Sequence, residues 1–135
     1  MEKKTKATGL VVLDTSVFID FLRKHTPAVD FFRSFISPNP QSVLFSSITQ
    51  IELLSGRSCN EASVHSGVLQ MLASLKGVVV HSRIAVLTGY LRRNYSIDMP
   101  DSIIAATALM HNALLYTKNL DDFSMIKNLR VKVPY

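Results

Sequence analysis

The sequence has 135 residues, of which 47% are hydrophobic and 19% are charged. This length fits one domain, and the composition supplies enough apolar material for a buried core, which excludes a disordered chain. The formal net charge of +5 favours polyanionic partners such as nucleic acids or acidic protein segments, although many small basic proteins bind neither.

Short apolar runs alternate with amphipathic segments along the chain. In order, we predict a strand at 10–13, helices at 15–24 and 27–36, a strand at 43–45, helices at 47–55 and 61–76, a strand at 78–80, helices at 82–94 and 98–111, a strand at 114–116, a helix at 121–127 and an edge strand at 131–133. Gly56 and Gly77 are predicted to end the helices that precede them. The alternation predicts a single α/β domain with a mostly parallel sheet of four to five strands flanked by helices.

The chain contains one cysteine, Cys59, and no apolar stretch as long as a transmembrane helix. A lone cysteine forms no internal disulfide, which favours a reducing compartment over a secreted protein without disulfides. The apolar run at 10–13 is too short for the core of a signal peptide. We therefore predict a cytoplasmic protein without membrane contact, whose residues 1–8 form a flexible basic tail.

Two acidic residues follow the first two predicted strands, and ligands of parallel sheets bind at the carboxyl ends of strands. Asp14 comes directly after the strand at 10–13, although it also suits the N-cap of the next helix. Glu52 shares a helix face with Ile48 and Ile51, where a glutamate is costly unless it is paired or binds a cation. The alternative for Glu52 is a solvated position on the flank of that apolar stripe.

More acidic residues occur near the end of the chain. Asp101 lies at the start of the apolar face of the helix at 98–111, so its side chain is predicted to point inward. The alternative is that Asp101 interacts with the helix dipole in the first turn. Asp121 and Asp122 follow the strand at 114–116, either as site residues or as helix caps. A purely structural role explains each acid taken singly. If all of these acids had only structural roles, three or four of them would have reached one edge of the sheet by chance.

Clustered carboxylates repel and raise one another's pKa values unless a divalent cation neutralises them. Oxygen ligands predict Mg²⁺ or Mn²⁺ rather than zinc, because the four scattered histidines form no ligand-spaced set with Cys59. Such a site activates water and stabilises charge on a phosphoryl group, which with the basic charge predicts phosphodiester hydrolysis. Candidates to hold an RNA backbone, each also explained by a solvated surface position, are Lys24, Arg57, Arg92, Arg93 and Lys118.

Four segments, in order, resemble the motifs of the PIN domain family. Residues 11–20 resemble its opening strand followed by Asp, and residues 46–56 resemble its second motif, which carries a glutamate. Residues 100–108 resemble the third motif, in which an acid precedes a helix of small residues. Residues 116–123 resemble the fourth, a Thr-x-Asp/Asn segment that ends in Asp-Phe. The resemblance spans residues 10–133, and the short chain is similar to VapC-type toxins.

The resemblance implies three metal-site acids, which are Asp14, Glu52 and Asp101. Asn119 lies at the position of a fourth acid. Because asparagine is neutral, Asn119 would bind a water on the metal rather than the metal itself. Alternatively, Asp121 or Asp122 would reach the metal. With one acid fewer than the family's full set, the sequence indicates a first metal ion more clearly than a second. The residues that would support the site by hydrogen bonds are Thr15, Ser16 and Thr117.

The resemblance further implies a metal-dependent endoribonuclease that forms a homodimer and is inhibited by a small antitoxin protein. An alternative, suggested by Asn119, is a weakly active or inactive PIN-like module that binds RNA or protein. Receiver domains and aspartyl phosphatases also place an Asp after the first strand. The phosphatase pattern has a second Asp two residues after the first, where this chain has Ser16. A receiver domain has a pair of acids before its phosphorylated Asp, and no such pair precedes Asp14 in its strand.

Overall fold

The computed structural model describes residues 8–135. The strands are β1 (Val11–Leu13), β2 (Val43–Ser46), β3 (Lys76–Val78), β4 (Leu114–Tyr116) and β5 (Val131–Lys132). The helices are α1 (Thr15–Leu22), α2 (Thr26–Phe31), α3 (Ser47–Leu54), α4 (Ala62–Ala73), α5 (Ser82–Asn94), α6 (Met99–Met110) and α7 (Leu120–Phe123). A π-helical turn covers Phe32–Ile36, and 3₁₀ turns cover Pro40–Ser42 and Arg57–Asn60. Within the described range, no helix is both long and apolar enough to cross a membrane.

The five strands form one sheet in the order β3-β2-β1-β4-β5, and every pairing is parallel. All three residues of β1 are buried, as expected for the central strand of a sheet covered on both faces. The predicted α/β fold with a mostly parallel sheet is therefore confirmed. The arrangement also brings the carboxyl ends of β1, β2 and β4 to the same edge of the sheet.

Two core clusters lie on opposite faces of the sheet, because successive side chains of a strand point to opposite sides. Val12 belongs to the cluster that includes buried residues of α5 and α6. Val11 and Leu13 belong to the cluster that includes buried residues of α1 and α4. A strand of three apolar residues thus contributes to both layers, and the residue that follows it emerges between them.

The boundary between α4 and β3 differs from the prediction. The helix predicted to reach residue 76 ends at Ala73, and Lys76 and Gly77 belong to β3, where they pair with Leu44 and Phe45 of β2. A Cβ atom on Gly77 would lie 3.0 Å from Cζ of Phe45, so glycine is needed for this close approach rather than as a helix end. The strand predicted at 78–80 is correspondingly displaced towards the N-terminus.

Three smaller differences concern the ends of elements. The helix predicted at 27–36 changes after α2 into the π-helical turn, in which the Ser37 amide donates to the Phe32 carbonyl at 2.8 Å. The helix predicted at 121–127 ends at Phe123, and β5 has two residues rather than three. The predicted tail lies outside the described residues except for Thr8, whose hydroxyl lies 3.1 Å from the Asn112 carbonyl oxygen.

Candidate active site

Asp14 lies at the carboxyl end of β1, and its side chain is almost completely buried at 3% exposure. The hydroxyls of Thr117 and Ser16 both donate to its Oδ2, at 2.8 and 3.1 Å. Asp14 occupies the N-cap position of α1, but its side chain makes no capping hydrogen bond. Burial raises the pKa of Asp14, and the two hydroxyls oppose this by lowering it. The carboxylate is therefore held by hydroxyls, and no lysine or arginine side chain among residues 8–135 pairs with it.

Glu52 extends from α3 beside the same region. The Thr15 hydroxyl donates to Oε1 of Glu52 at 2.8 Å, and its oxygen lies 2.9 Å from the hydroxyl of buried Thr49. Since the proton of Thr15 is directed to Glu52, the Thr49 hydroxyl donates to Thr15. These two hydrogen bonds connect the exposed Glu52 to Thr15, which directly follows Asp14 in the sequence.

Asp101 lies in the first turn of α6, whose N-cap is Asp98. The Asp98 carboxylate accepts a hydrogen bond from the Asp101 amide at 3.0 Å. Burial is the largest of the causes that raise the pKa of Asp101 to about 7. Like charges on neighbouring carboxylates add to this effect, and they belong to Asp14, Asp98, Asp122 and Glu52. We call these four residues and Asp101 the acidic edge.

Asp98 is an acid of this edge that the motifs did not indicate. Its signal in the sequence is the preference of aspartate for the N-cap, together with Pro100 in the first turn. The prediction placed Asp98 inside the helix, where its side chain would not cap the Asp101 amide. The sequence could not predict that the Asp98 carboxylate lies beside Asp101, because this placement depends on α6 beginning at Met99.

The loop between β4 and α7 supplies the other site residues. Thr117 is fully buried, and its hydroxyl oxygen accepts a hydrogen bond from the Asn119 amide at 3.0 Å. Asn119 is the N-cap residue of α7, and the exposed Asp121 and Asp122 lie in the first turn of that helix. Only Asp122 of these two is among the charges that raise the pKa of Asp101. A cavity of about 320 Å³ adjoins the loop and is lined by Lys118, Asn119, Leu120, Asp121, Asp122 and Val133.

The predicted RNA-binding residues do not form one group. Lys118 donates from Nζ to Oδ2 of Asp20 at 2.6 Å. The other four are exposed and make no ion pair with an acid among residues 8–135; Lys24 follows α1, Arg57 follows α3, and Arg92 and Arg93 end α5. Within the same range, no group of three His, Cys, Asp or Glu side chains forms a metal cage as it stands.

Comparison with known families identifies the fold. A family model described as PIN domain matches residues 11–129. The chain belongs to the PIN domain family. The matched residues include every member of the acidic edge. This PIN domain is also 29% identical over 124 residues to a protein named Ribonuclease VapC19 from Mycobacterium tuberculosis, and the match covers 88% of this chain and 96% of that protein.

Solved structures give the same result for the fold. The PIN domain superimposes on a chain of a toxin–antitoxin complex from Klebsiella pneumoniae with a TM-score of 0.78 and 26% identity, covering 93% of this chain and 98% of that one. It matches a chain of FitAcB from Neisseria gonorrhoeae with a TM-score of 0.74, 25% identity and the same coverage. A DNA-bound VapBC structure from Salmonella typhimurium has a TM-score of 0.83 at 22% identity, again with 93% and 98% coverage, and supports the fold alone.

Proposed function

We propose that this PIN domain is a divalent-metal-dependent endoribonuclease and the toxin of a toxin–antitoxin pair. The observation that carries the proposal is the gathering of carboxylates around Asp101. Buried Asp14 follows β1 and Asp98 caps α6, while Glu52 and Asp122 add their negative charges nearby. Burial and these charges raise the pKa of Asp101 to about 7. Carboxylates without a nearby cation destabilise one another, and a bound divalent cation reverses this effect. The similarity to Ribonuclease VapC19 and to a toxin–antitoxin complex supports the same activity and partner.

The donor set of the acidic edge fits Mg²⁺ or Mn²⁺. Carboxylate oxygens are the ligands that these ions prefer, and neither histidine nor cysteine is needed. Asp14 and Asp101 would bind the ion from their partly or fully buried positions. Glu52 and Asp122 are exposed, so their side chains can rotate towards it, which accounts for the lack of a ready-made cage. When bound, the ion would supply an activated water and neutralise charge on the scissile phosphate.

The other polar side chains orient these ligands. Thr117 and Ser16 donate to the same oxygen of Asp14, which directs that oxygen into the protein and leaves Oδ1 for a ligand. Thr15 does the same for Oε1 of Glu52. Asn119 is neutral and lines the 320 Å³ cavity, where its side-chain amide would contact a bound water or the RNA.

The proposed partners are RNA as substrate and a small antitoxin protein that covers the acidic edge. The basic net charge of +5 favours RNA binding. Lys24, Arg57, Arg92 and Arg93 are exposed and form no ion pair within residues 8–135, which makes them candidates for phosphate contacts. A homodimer is part of the proposal and rests on family likeness.

The test is cleavage of a total RNA pool by the purified protein with Mg²⁺, with Mn²⁺ and with EDTA. We expect cleavage only with a divalent ion. Asp14→Asn and Asp101→Asn each remove a ligand charge and are expected to reduce cleavage by about 100-fold or more. Asp30→Asn is the matched control, because Asp30 is exposed and forms only a 3.5 Å surface pair with Arg33.

Normal cleavage by Asp14→Asn, or cleavage that survives EDTA, would contradict the metal mechanism. If the folded wild type cleaves no RNA but binds it equally well with and without a divalent ion, the chain is instead an inactive binding module. A melting curve for each variant separates loss of activity from loss of fold.

A further inference from the structure

A second carboxylate on α1, Asp20, connects three distant parts of the chain. Its Oδ2 accepts hydrogen bonds from Lys118 Nζ and from the Tyr135 hydroxyl, both at 2.6 Å. Lys118 belongs to the loop between β4 and α7, and Tyr135 is the last residue of the sequence. A single oxygen thus joins a helix, a site loop and the chain terminus.

The Asp20 carboxylate is largely shielded from solvent and is held by charge-assisted hydrogen bonds. Its side chain is only 15% exposed, although that of Lys118 is 43% exposed. The Tyr135 ring packs against Phe31 and His25, with ring centroids 6.0 and 5.8 Å apart. The hydrogen bonds from Lys118 and Tyr135 lower the pKa of Asp20, so that it stays ionised. Charge-assisted hydrogen bonds of this kind are stronger than neutral ones.

Lys118 lies between two residues that act on the acidic edge. On one side Thr117 donates to Asp14, and on the other the Asn119 amide donates to the Thr117 hydroxyl oxygen. The Thr117 amide also donates to the Lys132 carbonyl, which holds the loop against the segment that ends in Tyr135. The loop is therefore connected to Asp14 through Thr117 and to α1 through the side chain of Lys118.

We propose that Asp20 is a positioning residue for the acidic edge, which holds the loop at 117–119 through Lys118, and that Tyr135 holds Asp20 in turn. The inference rests on the proposed function only where catalysis is measured. It assigns a role to the C-terminal residue, which no motif includes. It also gives Lys118 a structural role, in contrast to the predicted contact with RNA.

These two roles for Lys118 predict opposite effects of Asp20→Asn. If Lys118 positions the loop, loss of its partner loosens Thr117 and Asn119 and reduces kcat while KM stays the same. If Lys118 binds the RNA backbone, loss of its partner frees the ammonium group, so KM falls and kcat is unchanged.

The experiment compares Asp20→Asn and Tyr135→Phe with Asp30→Asn, the matched acid in an exposed ion pair. Four quantities are measured: hydrogen exchange of the Asn119 backbone amide, Mn²⁺ affinity by calorimetry, and kcat and KM on an RNA that the wild type cleaves. For Asp20→Asn we expect exchange about tenfold faster, Mn²⁺ binding several-fold weaker and kcat about tenfold lower. Tyr135→Phe removes one oxygen and is expected to cause about a threefold change in the same direction.

Rescue and coupling complete the test. Lys118→Arg keeps the charge and should retain most of kcat, whereas Lys118→Met should match Asp20→Asn. The double variant Asp20→Asn/Lys118→Met should have a kcat no lower than that of either single variant, because both substitutions remove the same contact. Unchanged Asn119 exchange in Asp20→Asn, or a lower KM with unchanged kcat, would overturn the proposal. If the wild type cleaves no RNA, the proposed function fails, but the exchange measurement still decides whether Asp20 positions the loop.

Discussion

Asp14 precedes α1 and Asp20 lies within that helix, and the two carboxylates have opposite environments. Asp14 is held by two hydroxyls, is close to other acids and has a raised pKa. Asp20 is held by an ammonium group and a phenol, and its pKa is lowered. Each carboxylate accepts two side-chain hydrogen bonds, so the difference lies in the deeper burial of Asp14, which raises its pKa, and in the ammonium group of Lys118, which lowers the pKa of Asp20.

This contrast separates two uses of a carboxylate. An acid that has its own cation within the protein needs no further ligand and stabilises the fold. An acid surrounded by like charges is costly until a cation arrives from solution. This difference can be tested by removing a hydroxyl that holds Asp14, by adding a divalent ion, or by changing the pH.

Of these experiments, the largest effect is expected from removing a hydroxyl that holds Asp14, and it is smaller than the loss expected from replacing Asp14 itself. Thr117→Val keeps the approximate shape of this buried side chain but deletes its donor, which leaves Asp14 less well oriented. We expect metal-dependent RNA cleavage to fall about 10- to 100-fold, as for residues that orient metal ligands in general. Thr88→Val is the control, since the buried Thr88 hydroxyl has no hydrogen-bond partner among residues 8–135. Equal cleavage by the two variants would argue against a role for Thr117.

An added divalent ion should stabilise the fold through the acidic edge. At an Mg²⁺ or Mn²⁺ concentration of about 100 times Kd, the free energy of unfolding is expected to rise by about 2.7 kcal/mol. Thermal melts with increasing ion concentration measure this effect. Asp101→Asn should lose most of the increase and Asp30→Asn should keep it. The same increase in wild type and Asp101→Asn would show that the ion binds elsewhere.

The smallest effects concern pH, and their signs differ between the two kinds of acid. The pKa of Asp101 rises from 3.8 to about 7 on folding, so without metal its contribution to the free energy of unfolding falls between about pH 4 and pH 7. The pKa of Asp20 is lowered on folding, so its stabilising contribution is lost only in acid, as the pH falls through its folded value below 3.8.

Urea unfolding in EDTA at several pH values checks both signs. Asp101→Asn should gain stability relative to wild type as the pH rises, by about 1 kcal/mol or less, because Asp101 is partly exposed and solvent screens its charge. Asp20→Asn should be less stable than wild type at pH 7 and approach it in strong acid. A gain in stability from Asp20→Asn at pH 7 would contradict the contrast drawn here.

Much of the fold could be predicted from local patterns. The bounds of α5 and β4 match the prediction, since both segments have clear periodicity and polar residues at their ends. Gly77 misled the prediction because a glycine after a helical pattern resembles a helix end. Its real role depends on the ring of Phe45, which is distant in the sequence.

The site could be predicted in part for a related reason. Asp14, Glu52 and Asp101 follow from motifs within short segments, and the electrostatics place their charges near one another. The contacts of Asp20 join residues separated by 98 and 115 positions, and no local pattern indicates them. Lys118 was assigned to RNA because an exposed lysine and one paired with a distant acid look identical in a sequence.

The position of β1 at the centre of the sheet also determines when the site can form during synthesis. Asp14 is translated 103 residues before Thr117, whose hydroxyl orients it and which directly follows β4, the strand that completes the pairing of β1. At translation rates of roughly 5–20 residues per second, this gap corresponds to about 5 to 20 seconds. A nascent chain that has not yet reached Thr117 therefore lacks the hydroxyl that orients Asp14, and it also lacks Asp122 of the acidic edge.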